Sequence, residues 1–421
     1  MHSSIIRVIE KTLNYVDPRL IDHGKRVAYL TYKVLKLQGK DPGYIRKLSI
    51  LALLHDIGAY KTEEIDNMVQ FETDRVWEHS VYGYLFIKHF SPLAGLAPVL
   101  LFHHATCDEL NYLHPCYREA AQIIHVADRF DILSQTSSLS RDAFRRHFDE
   151  RSGSRFDPEV VTLFFYPGWE GLFDALETDK EFETLLYDGE LTEAEVRAFV
   201  EMIVLSIDFR SPQTVTHTLT STCVCRIMSE LIDMESKEKD NLYTGVMFHD
   251  LGKVGIPSRV LEKTGRLDDT EMEIMKRHVE ITERILSGFV DDCSLQLSVR
   301  HHEKLDGTGY PRGLRANDLS KGQRLIAVAD IFSALVGVRS YKESYPKSKV
   351  VGILQDMSDK ALIDPDIVAT LVAHYETLTG AVEKTTRPIL NAYEALLVEN
   401  SSLLERVRGF SKGVGTGLIA V

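Results

Sequence analysis

The chain repeats one short pattern, as Leu54-His55-Asp56-Ile57-Gly58 and again as Phe248-His249-Asp250-Leu251-Gly252. An apolar run with helical spacing precedes each copy, which predicts a buried helix that ends at the histidine. Imidazole and carboxylate groups that face the same interior wall are ligands of borderline and hard transition metals. The pattern therefore predicts an all-α fold with a metal site in each half of the chain.

More histidines and aspartates extend both copies in the same order. His23 precedes His55 by 32 residues, and His217 precedes His249 by 32 residues as well. This order indicates a tandem duplication. Each set holds five histidines and two aspartates, more than one ion normally takes, so a site with at least two metals is favoured. The first set is His23, His55, Asp56, His79, His103, His104 and Asp128, and the second is His217, His249, Asp250, His278, His301, His302 and Asp330.

The length of 421 residues suits two domains, each able to bury its own core. Helical periodicity breaks at Tyr187-Asp188-Gly189-Glu190, and Thr192 with Glu195 then predicts a capping box that opens a new helix. We therefore predict two tandem helical bundles, residues 1–190 and residues 191–421, each around a metal site. The second is expected to end in an amphipathic helix.

Composition excludes several classes of function. The 49 basic and 62 acidic residues give a net charge of -13, which is unfavourable for binding a nucleic acid polymer. Five cysteines without a Cys-x-x-Cys motif are not typical of a disulfide framework or a zinc ribbon. Neither a membrane span nor a signal peptide is apparent, so we expect a cytoplasmic enzyme with no membrane partner. A homodimer is left open.

The second set is followed by features that the first set lacks. His249-Asp250-Leu251-Gly252-Lys253 places an ammonium one turn beyond the aspartate, where it can neutralise a phosphate oxygen. The run from His301 to Pro311, His-His-Glu-Lys-Leu-Asp-Gly-Thr-Gly-Tyr-Pro, continues into a glycine-rich loop whose Tyr310 can stack on a base. Arg339-Ser340-Tyr341-Lys342 adds two cations for a second phosphate or a guanine edge.

These strings resemble the HD-GYP family, bacterial phosphodiesterases that linearise cyclic di-GMP. Residues 213–375 carry this resemblance, and residues 17–165 are similar to a plainer HD domain. The resemblance implies that the second set are metal ligands with Asp250 as the bridge, and that Asp250 and Lys253 are catalytic. It implies substrate contacts by Lys253, Tyr310, Arg339 and Lys342. It also implies a di-iron or manganese centre, although the ligand types alone allow zinc, nickel or cobalt.

The function expected from the resemblance is hydrolysis of cyclic di-GMP to linear 5'-pGpG in bacterial signalling, with further cleavage to GMP left open. The alternatives are a 3',3'-cyclic GMP-AMP phosphodiesterase and a catalytically weak receptor for the dinucleotide. The candidates for the proton donor to the leaving oxygen are a metal-bound water, Lys253 and Asp306. Two departures stand out: Gln213 replaces a glutamate that helps some members hold a third metal, which favours two metals, and Ser333 replaces the usual aspartate.

The first domain keeps every ligand position and is expected to bind metal. Asp108 matches Asp306, but Ala59 stands where the second domain has its lysine, with Lys61 two residues displaced. Residues 107–111, Cys-Asp-Glu-Leu-Asn, replace the Gly-Tyr-Pro loop. The domain therefore lacks the groups expected for a cyclic dinucleotide. A nucleotide phosphomonoesterase similar to a 5'-nucleotidase and a regulatory or structural metal domain are the two alternatives.

Overall fold

The computed structural model describes residues 5–16, 18–59, 77–112, 114–212, 214–337 and 345–410. Within these ranges the chain forms 19 α-helices and no β-strand, which confirms the predicted all-α class. The first ten helices are α1 (Ile5–Leu13), α2 (His23–Leu37), α3 (Pro42–Leu53), α4 (Trp77–Phe90), α5 (Ala97–Leu101), α6 (Pro115–Thr136), α7 (Arg141–Asp149), α8 (Pro158–Phe164), α9 (Lys180–Glu183) and α10 (Glu193–Asp208). The other nine are α11 (His217–Leu231), α12 (Ser236–Phe248), α13 (Ser258–Leu261), α14 (Asp269–Leu286), α15 (Asp292–Val299), α16 (Lys321–Val336), α17 (Lys347–Asp359), α18 (Pro365–Ala373) and α19 (Tyr375–Phe410).

The chain divides into two compact units. One comprises residues 203–394, and the other comprises residues 2–202 together with residues 395–421. The end of α19 thus belongs to the same unit as α4, where Glu399 accepts a hydrogen bond from Lys88 at 2.8 Å. The predicted capping box of Thr192 and Glu195 is present at the start of α10. The domain limits predicted at residues 190 and 191 stay a prediction.

The unit of residues 203–394 has an aliphatic core. It includes Val224 and Met228 from α11, Val246 from α12 and Phe332 from α16, all fully buried. Burial of each such side chain stabilises the fold by about 1.5 to 3 kcal/mol relative to an exposed position. The packing of α11 against α16 matters for function, because His217 and Asp330 lie on these two helices.

The other described unit has a core rich in aromatic rings. Phe130 of α6 lies 4.8 Å from Phe144, and Phe165 lies 4.9 Å from Trp169, both in edge-to-face geometry between ring centroids. Such pairs add to the stabilisation that comes from buried area alone. They hold α6, the helix that carries Asp128, against α7 and the segment that follows α8.

Candidate metal centres

Five segments bring the second set of ligands together. The set comes from the start of α11, the turn after α12, the middle of α14, the turn after α15 and the middle of α16. These segments supply, in that order, His217, then His249 with Asp250, then His278, then His301 with His302, and finally Asp330. Five of the seven residues are buried, and His217 and His302 are half-buried. The tandem sets of the sequence are therefore clusters in space.

The glycine in each repeated pattern allows this assembly. A Cβ atom on Gly252 would lie 1.9 Å from the carbonyl oxygen of His278, and one on Gly58 would lie 2.0 Å from that of His79. Both distances are far below van der Waals contact, so no side chain fits at either position. The amide of Gly252 also donates to Thr282 Oγ1 at 2.8 Å. Each glycine thus lets the His-Asp turn touch the helix that carries the third histidine.

The backbone selects one tautomer for five of the ten histidines. In each case Nδ1 donates to the carbonyl oxygen three residues earlier, which leaves Nε2 as the acceptor that faces the cluster. The lengths are 2.6 Å for His249, 2.7 Å for His278 and 2.7 Å for His301, with 2.8 Å for His55 and 2.6 Å for His103 in the first domain. The imidazoles are thus held ready to bind a cation through Nε2.

The acceptor nitrogens converge in two groups. In the second domain, Nε2 of His217 lies 3.4 Å from Nε2 of His249, and Nε2 of His278 lies 3.2 Å from Nε2 of His301. Two lone pairs at this separation repel each other unless a proton or a metal lies between them. The ligand atoms that could hold an ion form one group of His217, His249 and Asp330 and another of His278, His301 and His302.

Asp250 lies between the two groups. Its Oδ2 is 3.1 Å from His217 Nε2, and its Oδ1 is 3.6 Å from His278 Nε2 and 4.0 Å from His301 Nε2. Oδ1 is buried and accepts no hydrogen bond from the described residues. A buried carboxylate oxygen without a donor is costly unless a cation meets it. The donor set therefore fits two cations that share the Asp250 carboxylate.

The ionisation of the site suits metal binding. Burial lowers the pKa of His278 to about 3 and that of His302 to about 4, so both rings are neutral at neutral pH. Burial also opposes the charge on His217, but its hydrogen bonds to Asp250 and Asp330 outweigh this effect and raise its pKa to about 9. Since a ligating imidazole is neutral, His217 must release a proton when a metal binds.

Lys253 extends from the short helical turn that follows Asp250. Its Nζ donates to Asp250 Oδ2 at 2.5 Å. Burial opposes the ammonium charge, but Asp250 outweighs burial and raises the pKa of Lys253. Burial likewise opposes the charge of Asp250, while Lys253 and His249 hold the pKa of this carboxyl well below its usual range. The site therefore contains a fixed cation next to the shared carboxylate.

Arg210 was missed by sequence reasoning because nothing near it in the chain marks it. Its guanidinium donates to the carbonyl oxygens of Lys253 at 2.6 Å, Val254 at 2.7 Å and Ile256 at 3.1 Å. These bonds hold the turn from which the Lys253 side chain extends. Arg210 is thus a positioning residue for that ammonium.

Ser333 explains one departure from the family pattern. Its hydroxyl lies 2.8 Å from His217 Nδ1, so it still orients the ring. In the first domain the matching position is Asp131, whose Oδ2 lies 2.7 Å from His23 Nδ1. Arg26 pairs with Asp131 from the other side at 2.5 Å. A carboxylate partner makes an imidazole a stronger ligand than a hydroxyl does, so the two centres differ in this respect.

Tyr310 lies directly against the second centre. Its ring centroid is 4.7 Å from that of His302, and Lys276 Nζ is 5.7 Å from the same tyrosine ring. Asp306 earlier in the loop accepts from the amide and hydroxyl of Thr308, and these bonds lower the pKa of its carboxyl. Asp306 is therefore an ionised turn residue, which argues against it as the proton donor, while Lys253 and a metal-bound water stay candidates.

The first centre repeats this geometry. Asp56 Oδ2 is 3.2 Å from His55 Nε2 and Oδ1 is 3.7 Å from His79 Nε2. Oδ1 is again buried without a hydrogen bond from the described residues. One group of possible ligands is His23, His55 and Asp128, and the other is Asp56, His79, His103 and His104. Both domains thus have clusters that can hold metal ions.

The first centre has a different cation. Ala59 is buried where the second domain has Lys253. The buried Arg129 instead pairs with Asp128, with its Nη2 2.7 Å from Oδ2. Sequence reasoning missed Arg129 because the residue directly after the last ligand is an isoleucine, Ile331, in the second domain. In the first centre the cation thus pairs with the last aspartate of the set, whereas in the second centre it pairs with the aspartate of the His-Asp pair.

Four residues of the sequence-based predictions lie outside the described residues. They are Arg339 and Lys342, expected to contact substrate, Lys61 of the first domain and Gln213 before the second. Their expected roles stay predictions.

No helix in the described part of the chain combines the length and apolarity needed to cross a bilayer.

Comparisons with known proteins agree with this architecture. Models of the HD domain family match residues 20–133 and residues 200–367. Each match contains one full set of histidines and aspartates. The chain belongs to the HD domain family and carries two HD domains in tandem. Its second domain has the HD-GYP string, which makes it a tandem member of the HD-GYP branch.

Several relatives carry the name of a cyclic dinucleotide phosphodiesterase. The chain is 25% identical to 3'3'-cGAMP-specific phosphodiesterase 1 of Vibrio cholerae over 86% of this chain and 89% of that one. It is 32% identical to a cyclic di-GMP phosphodiesterase of Thermotoga maritima over 44% of this chain and 51% of the relative. The crystal structure of a cyclic GMP-AMP specific phosphodiesterase of V. cholerae aligns with a TM-score of 0.56 at 20% identity. It covers 89% of this chain and 98% of the other, which shows a shared fold.

Proposed function

We propose that this chain is a metal-dependent phosphodiesterase that hydrolyses cyclic dinucleotides in its second domain. The observation that carries the proposal is the position of Asp250 between two groups of histidine nitrogens, with the Lys253 ammonium 2.5 Å from its Oδ2. Divalent cations held by these groups supply Lewis acidity to phosphoryl transfer. The ligand set is complete, which argues against a receptor without catalytic activity.

In this mechanism Asp250, Lys253 and Tyr310 have different roles. Asp250 holds the two cation sites together, and Lys253 stabilises the negative charge that develops on the phosphoryl oxygens. The same ammonium is our candidate for the group that gives a proton to the leaving 3' oxygen. Tyr310 binds a base next to the reacting diester. Water attacks the phosphorus of one diester, the bond from phosphorus to the 3' oxygen breaks, and that oxygen leaves with a proton, so the product is a linear dinucleotide with a 5' phosphate.

The names of the relatives point to two possible substrates, 3',3'-cyclic GMP-AMP and cyclic di-GMP. The match to the 3'3'-cGAMP-specific enzyme spans most of both chains, whereas the match to the Thermotoga maritima enzyme spans about half of each. We therefore favour 3',3'-cyclic GMP-AMP as the substrate over cyclic di-GMP, the substrate expected from sequence alone. Both carry guanine and two diesters, so the same centre can cleave either.

Turnover of both cyclic dinucleotides by the purified full-length chain tests the proposal. The protein is loaded separately with iron and manganese, and the products are identified by mass spectrometry. We expect a linear dinucleotide from 3',3'-cyclic GMP-AMP with a higher kcat/KM than from cyclic di-GMP. A preference for cyclic di-GMP would overturn the substrate assignment alone, and no hydrolysis of either by metal-loaded protein would overturn the function.

Tyr310→Ala is expected to weaken substrate binding. Loss of a stacking contact with a base costs about 1 to 3 kcal/mol, which corresponds to a rise in KM of roughly 5-fold to 150-fold. Tyr310→Phe keeps the aromatic face next to His302 and serves as the matched control. An unchanged KM in the alanine variant would count against stacking.

The first domain is expected to bind metal independently of the second. Its possible ligands also form two groups, one of His23, His55 and Asp128 and the other of Asp56, His79, His103 and His104. Full-length protein with His249→Ala and Asp250→Ala should therefore keep part of its metal, and adding His55→Ala with Asp56→Ala should remove the rest. Elemental analysis of the folded variants measures this. A folded protein without metal in the first variant would contradict the prediction.

A further inference from the structure

Glu303 is a buried carboxylate with no role in the metal centres described above. It directly follows the ligand pair His301 and His302, and only 3% of its surface is exposed. It does not belong to the groups of possible metal ligands found among the described residues. Each of its two oxygens accepts a backbone hydrogen bond from the loop that carries Tyr310.

The two bonds close that loop. Glu303 Oε1 accepts from the amide of Arg312 at 2.7 Å, and Oε2 accepts from the amide of Leu314 at 2.9 Å. The amide of Tyr310 donates to the carbonyl oxygen of His302 at 3.1 Å. The backbone on both sides of Tyr310-Pro311 is therefore fixed to the residues that follow the metal ligands.

A glycine shows how closely the loop packs on Glu303. A Cβ atom on Gly309 would lie 2.5 Å from Glu303 Cα and 2.4 Å from the amide nitrogen of Lys304. The loop therefore lies in direct contact with the chain after His302, and no side chain fits between them. Small shifts of Glu303 must then move Tyr310 relative to the His302 ring, 4.7 Å away between centroids.

The duplication provides an internal comparison. In the first domain the position after His103 and His104 is Ala105, which is fully buried and carries no carboxylate. The Gly-Tyr-Pro loop is missing there too. The carboxylate of Glu303 thus occurs only in the domain that has the Gly-Tyr-Pro loop.

We propose that Glu303 is a positioning residue for substrate: it couples the metal ligand His302 to the Tyr310 loop and so sets the distance between the reacting diester and the bound base. The inference rests on the proposed function. Loss of Glu303 leaves two amides without their acceptor, so the loop loosens while the metal ligands keep their own backbone contacts. Loss of Glu303 should therefore weaken the binding of substrates that carry bases and leave other diesters unaffected.

The test compares two substrates on the full-length protein. Glu303→Ala should raise KM for the cyclic dinucleotide by roughly tenfold or more, because two backbone amides of the loop lose their acceptor. Turnover of bis(p-nitrophenyl) phosphate, a diester without bases, should stay within about twofold, as should metal content. Glu303→Gln, which keeps one acceptor, should be intermediate. Equal losses on both substrates, or loss of metal, would overturn the proposal.

Glu283→Gln is the matched control. Glu283 pairs with the side chain of the same Arg312 at 2.8 Å, but from the surface of the loop. It should leave both substrates unaffected. In a Tyr310→Ala background, Glu303→Ala should add little to the rise in KM, because both changes remove the same contact. Full additivity would show that Glu303 does not act through Tyr310.

Hydrogen exchange separates this proposal from the proposed function. Exchange at the amides of Arg312 and Leu314 should be roughly tenfold faster or more in Glu303→Ala than in the wild type, because the hydrogen bonds that protect these amides are lost. Unchanged exchange would overturn the anchoring role even if KM changes. A wild-type protein that cleaves no cyclic dinucleotide would refute the function, while exchange would still report whether Glu303 holds the loop.

Discussion

Replacing both His249 and Asp250 with alanine is expected to reduce cyclic dinucleotide hydrolysis by about 10³-fold or more. The substitution removes one nitrogen from the first group of ligands and the carboxylate between the two groups. Metal-ion chemistry and charge stabilisation then fail together, and each alone contributes several kcal/mol to catalysis. The helical fold should persist, because the aliphatic core around Val246 and Phe332 does not depend on these side chains.

Turnover, elemental analysis and circular dichroism on the same preparation check this result. His374→Ala is a suitable control, since His374 belongs to the same compact unit and its ring Nδ1 lies 2.9 Å from the carbonyl oxygen of Thr370 in α18. It should keep wild-type turnover. If the metal-depleted double variant retains more than a few per cent of wild-type turnover, catalysis does not reside in the second domain.

The sequence was most informative where a residue type is required at a fixed distance from another. Histidines and aspartates recur in the same order in both halves, so the all-α class and the two clusters could be predicted before any coordinates. The structure brings together the seven ligand positions of each set, and metal binding by them stays a prediction. The reason is physical: a ligand set tolerates few substitutions, so its spacing is visible in a single chain.

Residues that act through the backbone could not be predicted in this way. Arg210 and Glu303 contact main-chain atoms, and main-chain atoms are the same for every residue type, so no partner marks them in the sequence. Their contacts also depend on the path of the chain between distant positions. Arg129 was missed for a different reason. It pairs with Asp128 in the first domain, whereas in the second domain the cation is Lys253 and pairs with Asp250, so the two repeats do not share the position.

The close approach of Gly252 to His278 could be predicted only in part from the sequence. The sequence pattern contained the glycine in both copies, but the pattern alone does not say what the missing side chain makes room for. The structure supplies the answer, since the carbonyl oxygen of His278 occupies that space. A glycine next to a ligand pair therefore indicates that another element packs against the turn, although the sequence does not identify which one.

Lys253→Ala is expected to lower kcat by about 10²-fold or more, the effect of removing one stabilising charge from a developing phosphoryl anion. The Lys253 ammonium is 2.5 Å from Asp250 Oδ2 and is held by the turn that Arg210 fixes, so its position is set before substrate binds. Because the raised pKa of Lys253 keeps it charged at neutral pH, the loss should appear over the whole neutral range.

Metal content decides between a catalytic and a structural role for Lys253. Elemental analysis should find the same metal content in Lys253→Ala as in the wild type, since the ammonium itself binds no cation. Lys253→Met keeps most of the side-chain length without the charge and should lose as much turnover as the alanine variant. Lys239→Ala, which removes a lysine that pairs with Glu230 at the surface, should remain fully active. Loss of metal from Lys253→Met would instead show that the charge stabilises Asp250 and the centre as a whole, and near-normal turnover in both variants would remove Lys253 from the mechanism.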